Sequence, residues 1–326
     1  MATPVYDCLR MNFPKADLIG LIRTYARGVV EDGPWFDKLI DGNDKTRTGF
    51  IQLVKEIRLL KPDLAVILPN SFRAALIARL GGSKRICGYR RGNRSFLLSG
   101  GPRPTLDSDK VVPVPMPDYY LEICRFLNLK LPGSSHPRLF YSDGLEQKSS
   151  VLLDNYGISP EDMVIGLNPG AKFGSSKCWP PEHFARLAEL LTDRWRCKLL
   201  LFTGPGEKAI GRQIIETSDA TIIDTSPDRV DLALLKPLIK RCRLFVTNDT
   251  GPRHYAVALG VPQVVIMGPT DPRYTNVNLE KTVVLRQDLP CSPCHLKICP
   301  IDHRCMTRIL PEHVLQASET LLTQYE

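Results

Sequence analysis

The chain has 326 residues, 43% hydrophobic and 24% charged, a balance that suits a globular protein with two domains of ordinary size. No apolar run approaches the ~20 residues of a bilayer-spanning helix, and the start, MATPVYD, has neither the basic residues nor the apolar stretch of a secretory signal. The net charge of +8 and isoelectric point near 9.0 suit an acidic partner, while the lack of helix-turn-helix, zinc-finger or RNP-like patterns argues against nucleic acid. A cytoplasmic location is the expectation. The ten cysteines are then expected to be thiols or metal ligands rather than disulfides.

Residues 2–12 read as a helix, with Pro4 in its first turn and Val5, Cys8 and Leu9 near one face. Pro14 ends it, and 16–22 reads as a strand. The first half therefore starts with the helix of a βαβ unit whose first strand is missing. A short strand over 35–40, a helix over 48–60 and a buried strand over 63–68 follow. Pro69-Asn70-Ser71 caps a helix over 72–80, which Gly81-Gly82 closes. After a strand over 84–88 comes YRRGNR, residues 89–94, which reads as a solvated basic loop or as an anion-facing one. A helix over 117–129 precedes a stretch, 131–145, rich in Pro, Gly and Ser and without a period. The domain boundary is expected there or just after it, dividing the chain into 1–147 and 148–326.

The second half alternates strands and helices. Strands are expected over 164–167, 198–202, 221–223 and 282–285, and helices over 181–194, 207–217 and 230–240, which makes a Rossmann-like parallel sheet. Residues 243–275, RLFVTNDTGPRHYAVALGVPQVVIMGPTDPRYT, read as one parallel βαβ unit. An apolar run ends at Asn248-Asp249-Thr250-Gly251, Pro252 suits the first helical position, and Gly260 and Pro262 stop the helix before a second apolar run. Asp249, Thr250, Gly251 and His254 then surround a helix N-terminus at the carboxyl end of a strand, where open α/β sheets bind anions. An ordinary capped turn, with Asp249 or Thr250 as N-cap, accounts for the same pattern. Because Asp249 repels phosphate, the amides of Thr250 and Gly251 are the expected holders, Asp249 braces the loop, and His254 stays neutral.

Two other patterns compete. Gly204-Pro205-Gly206-Glu207-Lys208-Ala209 fits G-x-G-x-x-A between a strand and a helix, with Asp224 further on, as a dinucleotide fingerprint would. It follows the second strand of its domain rather than the first, however, and Pro205 removes an amide from the turn. No G-x-x-x-x-G-K-[ST] occurs, which argues against a P-loop enzyme. The spacing Cys291-x2-Cys294-x4-Cys299-x5-Cys305 could ligate a structural zinc tetrahedrally; reduced thiols packing an irregular C-terminal loop are the other reading.

NDTGPRHYAVALGVPQVVIMGPTDP resembles the signature of ADP-heptose:lipopolysaccharide heptosyltransferases, N-D-[ST]-G-x-x-H-x-A-A-A-x-x-x-P followed by G-P-[ST]-x-P. AKFGSSKCWP, residues 171–180, is similar to the family's A-x-F-G-x-x-K-x-W-P. LPNSFRAALIARLGGSKRICGYRRGNRSFLL resembles its second-heptose branch. The resemblance implies a GT-B-like α/β fold of two Rossmann-like domains with parallel sheets, the acceptor bound by the first and the nucleotide-sugar by the second. It implies ADP-L-glycero-β-D-manno-heptose as donor and the heptosylated lipid A–Kdo inner core as acceptor, at the cytoplasmic face of the inner membrane, with inversion at the anomeric carbon. Lys177 would contact the sugar-diphosphate, Glu207 the ribose hydroxyls, and Arg73, Arg90 and Arg94 an anionic acceptor. No metal cofactor is implied, so a zinc at Cys291, Cys294, Cys299 and Cys305 would be structural. The family's first strand, its Gly-Asp turn and the Asp expected as base would lie upstream of Met1, so the chain as given is expected to be inactive or poorly folded. A transferase using another nucleotide-sugar, and a non-catalytic nucleotide-sugar-binding protein, remain as alternatives.

Overall fold

The computed structural model describes residues 1–325. The chain forms two compact units, Met1–Pro137 with Arg273–Thr275, and Arg138–Pro272 with Asn276–Glu326.

The first unit runs α1 (Thr3–Asn12), β1 (Ile19–Ile22), β2 (Lys38–Asp41), α2 (Arg47–Leu60), β3 (Leu64–Ile67), α3 (Phe72–Leu80), β4 (Arg85–Gly88), the hairpin β5 (Leu106–Asp107) and β6 (Lys110–Val111), and α4 (Met116–Phe126). Side-chain caps start two of its helices: Thr46 Oγ1 accepts from Gly49 N at 3.0 Å before α2, and Ser71 Oγ from Ala74 N at 3.3 Å before α3. Val5 and Cys8 of α1 pack on Leu121 and Cys124 of α4. β1 pairs in parallel with β2, and β3 with β4. Among the described residues no ladder joins the two pairs.

The second unit runs α5 (Asp143–Asn155), β7 (Met163–Asn168), α6 (Pro181–Arg194), β8 (Cys197–Leu201), α7 (Lys208–Thr217), β9 (Ile222–Asp224), α8 (Leu235–Arg241), β10 (Leu244–Asn248), α9 (Gly251–Leu259), β11 (Gln263–Ile266), β12 (Thr282–Leu285), α10 (Arg304–Thr307) and α11 (Pro311–Gln324). Its six strands pair in parallel in the order β12-β11-β10-β7-β8-β9. β7 and β10 lie at the centre, and from them the strand order runs outward in opposite directions. That is the topological switch point of a doubly wound sheet, where ligands bind at the carboxyl ends of the strands. Central strands buried on both faces read as continuous apolar runs; β10 and β11 are buried at every position. Phe184, Leu187 and Leu191 of α6 and Val314 and Leu321 of α11 fill the core beside Leu199, Val246 and Val264.

Three sequence expectations are corrected. The division falls after Pro137 rather than at 147/148, because α5 begins at Asp143 and packs on α8 of the second unit. The helix expected from residue 230 starts only at Leu235; Asp231 Oδ1 first accepts from Ala233 N at 2.9 Å and Leu234 N at 2.8 Å, making a turn. The C-terminal helix α11 was not anticipated, although Pro311 at its start is a helix-opening signal.

Candidate functional site: an open helix start at the switch point

The loop after β7 and the loop after β10 meet at the switch point through a buried carboxylate. Asp249 Oδ2 accepts from Lys177 Nζ at 2.8 Å and Thr270 Oγ1 at 2.6 Å, and Oδ1 from Arg253 Nη1 at 2.6 Å. Lys177 Nζ also donates to Asp249 O at 2.8 Å and lies 5.3 Å from the centre of the Phe173 ring. Arg253 is wholly buried. Burial opposes ionisation of Asp249, but the charges of Arg253 and Lys177 and the hydrogen bonds from Lys177 and Thr270 outweigh it and hold the carboxyl well below its usual range. Lys177 and Arg253 thus both bring their charge to one buried carboxylate.

Thr250 is the N-cap of α9, with extended backbone and no capping bond from its side chain. Among the described residues the N–H groups of Thr250 and Gly251 meet no acceptor, and a Cβ added at Gly251 would meet nothing within 4 Å. These amides therefore point into open space at the positive end of a helix, an arrangement that binds anions. His254, one turn in, is pulled down to about 3 by burial first and then by Arg253, so its imidazole is neutral. Asp249 acts as a brace, not as a cap.

Glu207 reaches the same region from the loop after β8. Its Oε2 accepts from Gly204 N at 2.7 Å, and a Cβ at Gly170 would lie 2.0 Å from that oxygen, so any side chain there would displace the carboxylate. Its charge is felt by Cys178, beside Lys177. This also settles the competing fingerprint: the amide of Gly204 is taken by Glu207, Pro205 has none, and the motif follows the second strand in the winding order. The remaining contacts fix the loops. Asn248 Nδ2 donates to Pro169 O at 2.6 Å and its Oδ1 accepts from Trp179 N at 3.1 Å, while the buried Trp179 donates Nε1–H to Ile309 O at 2.8 Å.

Arg253 and Thr270 were not singled out from the sequence. Their signals were present: Arg253 stands four residues after Asp249 on one helix face, and Thr270 lies within the second half of the same βαβ motif.

The cysteine loop abuts this site. Cys291, Cys294, Cys299 and Cys305 line one cavity of about 130 Å³ with Ser176 and His303; burial, then Cys299, Cys294 and Cys291, push the Cys305 thiol up to about 11. Among the described residues no three His, Cys, Asp or Glu are grouped to hold a metal ion. The loop is tied to the turn that carries Lys177, Ser176 N donating to Lys297 O at 3.1 Å and His303 Nε2 lying 2.7 Å from Ser176 O. It is also tied to the Thr270 turn, through Ser292 Oγ to Gly268 O at 2.7 Å and His295 N to Pro269 O at 2.9 Å.

In the first unit the three arginines separate. Arg90 is exposed. Arg73 pairs with Asp44 at 3.2 Å and lies 5.0 Å from the Phe50 ring centre. Arg94 is corrected from a ligand-facing to a structural role: it is wholly buried, and its guanidinium donates to the carbonyls of Tyr89, Pro69 and Ser71 and to Asn70 Oδ1.

A doubly wound parallel sheet with an open helix start at its switch point is the arrangement at which open α/β folds take up anionic ligands. Residues 50–304 match Glycosyltransferase family 9 (heptosyltransferase), and the chain belongs to that family of glycosyltransferases. It is 27% identical over 341 aligned residues to lipopolysaccharide heptosyltransferase 2 of Escherichia coli K12, covering 100% of this chain and 95% of that one. The solved structure of E. coli ADP-heptose LPS heptosyltransferase II matches with a TM-score of 0.80 at 26% identity, over 99% of this chain and 95% of that chain. The family 9 glycosyl transferase of Veillonella parvula DSM 2008 matches in fold with a TM-score of 0.84 at 23% identity, over 99% and 93%. The fold is thus GT-B, and among the described residues no helix is long and apolar enough to cross a membrane.

Proposed function

We propose that the protein transfers heptose from ADP-L-glycero-β-D-manno-heptose to the heptosylated Kdo–lipid A inner core, with inversion, at the cytoplasmic face of the inner membrane. The observation that supports this most is the convergence of Lys177 and Arg253 on Asp249 beside the open amides of α9, in a chain of family 9. A diphosphate fits such a site because its charge meets helix amides and a cation that need no rearrangement. The acceptor hydroxyl attacks the anomeric carbon as the bond to the diphosphate breaks. Its proton passes to a carboxylate base, and the leaving ADP is held by Lys177 and the amides of Thr250 and Gly251. Glu207, oriented by Gly204 N–H, accepts hydrogen bonds from the ribose hydroxyls; neutral His254 donates one to the donor. By the family resemblance the base is an Asp of a Gly-Asp turn, and no residue of the second unit is given that role.

The reading requires no metal in the transfer step, and an ion at Cys291, Cys294, Cys299 and Cys305 would be structural. Metal analysis of the purified protein tests the ion: stoichiometric zinc supports it, substoichiometric zinc removes it. The transfer itself is tested by incubating the protein with inner-core acceptor and either ADP-heptose or other nucleotide-sugars, and weighing the product by mass spectrometry. Heptosylated acceptor is expected. Turnover only with other nucleotide-sugars overturns the heptose assignment, and donor binding without any transfer favours a non-catalytic binding protein.

A further inference from the structure

We propose that Phe72 and Phe96 form an aromatic platform that stacks on a sugar ring of an anionic glycan acceptor, while Arg73, Arg90 and Arg91 pair with its acidic groups. Phe96 is 74% exposed and Phe72 44%; their ring centres are 6.0 Å apart with planes at 54°. Two adjacent phenyl rings held in water mark a contact surface more often than a lone exposed one does. They are also rigidly mounted. Phe72 opens α3 directly after its Ser71 cap, and Phe96 sits in a 3₁₀ turn, Ser95–Leu97, whose Leu97 is buried and which packs on α3. Buried Arg94 bridges the loop after β3, at Pro69 O, Ser71 O and Asn70 Oδ1, to the loop after β4, at Tyr89 O. Both loops leave the carboxyl ends of parallel strands, the ligand-binding edge of an α/β layer.

The charge around the rings selects the ligand class. Residues 64–106 contain eight Lys and Arg and no Asp or Glu. Arg90 and Arg91 are exposed, and guanidinium groups pair bidentately with carboxylate and phosphate. An apolar ring face flanked by such groups suits a sugar that carries acidic substituents. A purely hydrophobic partner would leave the exposed Arg90 and Arg91 without a counter-charge, Arg73 already having Asp44 at 3.2 Å.

The identity of the glycan rests on the proposed function, so the test separates the two. The intact protein is titrated calorimetrically with de-acylated heptosyl-Kdo oligosaccharide and, separately, with ADP. Phe96→Ala is expected to weaken oligosaccharide binding roughly three- to tenfold and Phe96→Tyr to restore it, with ADP affinity unchanged in both. Oligosaccharide affinity unaltered in Phe96→Ala overturns the platform and leaves the proposed function standing. Absence of oligosaccharide binding by the unaltered protein, with ADP still bound, overturns the acceptor reading and the platform together. If Phe96→Ala loses only its binding to vesicles containing anionic phospholipid, the rings face a bilayer and the sugar platform is wrong.

Discussion

Asp249 is the residue on which the proposed donor site turns, because it joins Lys177, Arg253 and Thr270 at one buried point. Removing one member of such a cluster leaves an uncompensated charge, at a cost of about 3–5 kcal/mol. Asp249→Asn, which removes the charge that Lys177 and Arg253 share, is therefore expected to lower unfolding stability by about 3 kcal/mol in denaturant titration. His254 adds a dependence on pH. Its folded value, about 3, lies below the usual 6.5, so its contribution is complete above the unfolded value and lost as the pH falls from there toward 3, when only the unfolded chain takes the proton. The decline is at most about 1.4 kcal/mol per pH unit. Asp249, also depressed, adds to it only below about pH 4. Thermal melts between pH 7 and pH 4 should fall for the parent and fall less steeply for His254→Asn; parallel curves would refute the neutral imidazole. The four residues Asp249, Thr250, Gly251 and His254 were legible in the sequence because strand, turn and helix punctuate themselves. Burial was not: Arg94 looked like a member of a basic loop, and only packing shows its guanidinium closed off by carbonyls.

At the level of elements, loops from three neighbouring strands of the sheet, β10, β7 and β8, converge, and glycines let them approach closely. Gly170 is the sharpest case, since a methyl group there would come within 2.0 Å of Glu207 Oε2. Gly170→Ala is expected to displace that carboxylate and raise the dissociation constant for ADP about tenfold, by loss of charged hydrogen bonds to the ribose, while circular dichroism and melting stay close to the parent. Unchanged ADP affinity would remove Glu207 from the nucleotide site. Gly174 makes the matching contact to the cysteine loop: at φ 156 its added Cβ would meet Lys297 O at 2.3 Å. Most element types could be read from periodicity and from Pro and Gly. Of the missed longer helices, α5 opens inside a stretch without a clear apolar period and packs on α8, whereas α11 carries Val314, Ala317, Leu321 and Leu322 at helical spacing, a signal that was present and not read.

Across the whole molecule, the second unit holds a six-stranded doubly wound sheet, and the described strands of the first form two parallel pairs and one antiparallel hairpin. The parallel sheet of the second unit was readable from the clean alternation of strands and helices along it. The boundary was less readable, because a Pro/Gly/Ser-rich stretch marks a linker without saying which unit the next helix packs on. Because the proposed donor site lies within the second unit, donor recognition can be tested apart from transfer.

Calorimetric titration of the purified protein with ADP-heptose, against a uridine diphosphate sugar, is the most direct test of the donor site. One saturable site for ADP-heptose is expected, weaker by at least about tenfold in Lys177→Ala through loss of a charged hydrogen bond to the diphosphate. Tighter binding of the uridine nucleotide, or ADP-heptose binding unaffected by Lys177→Ala, would contradict the account.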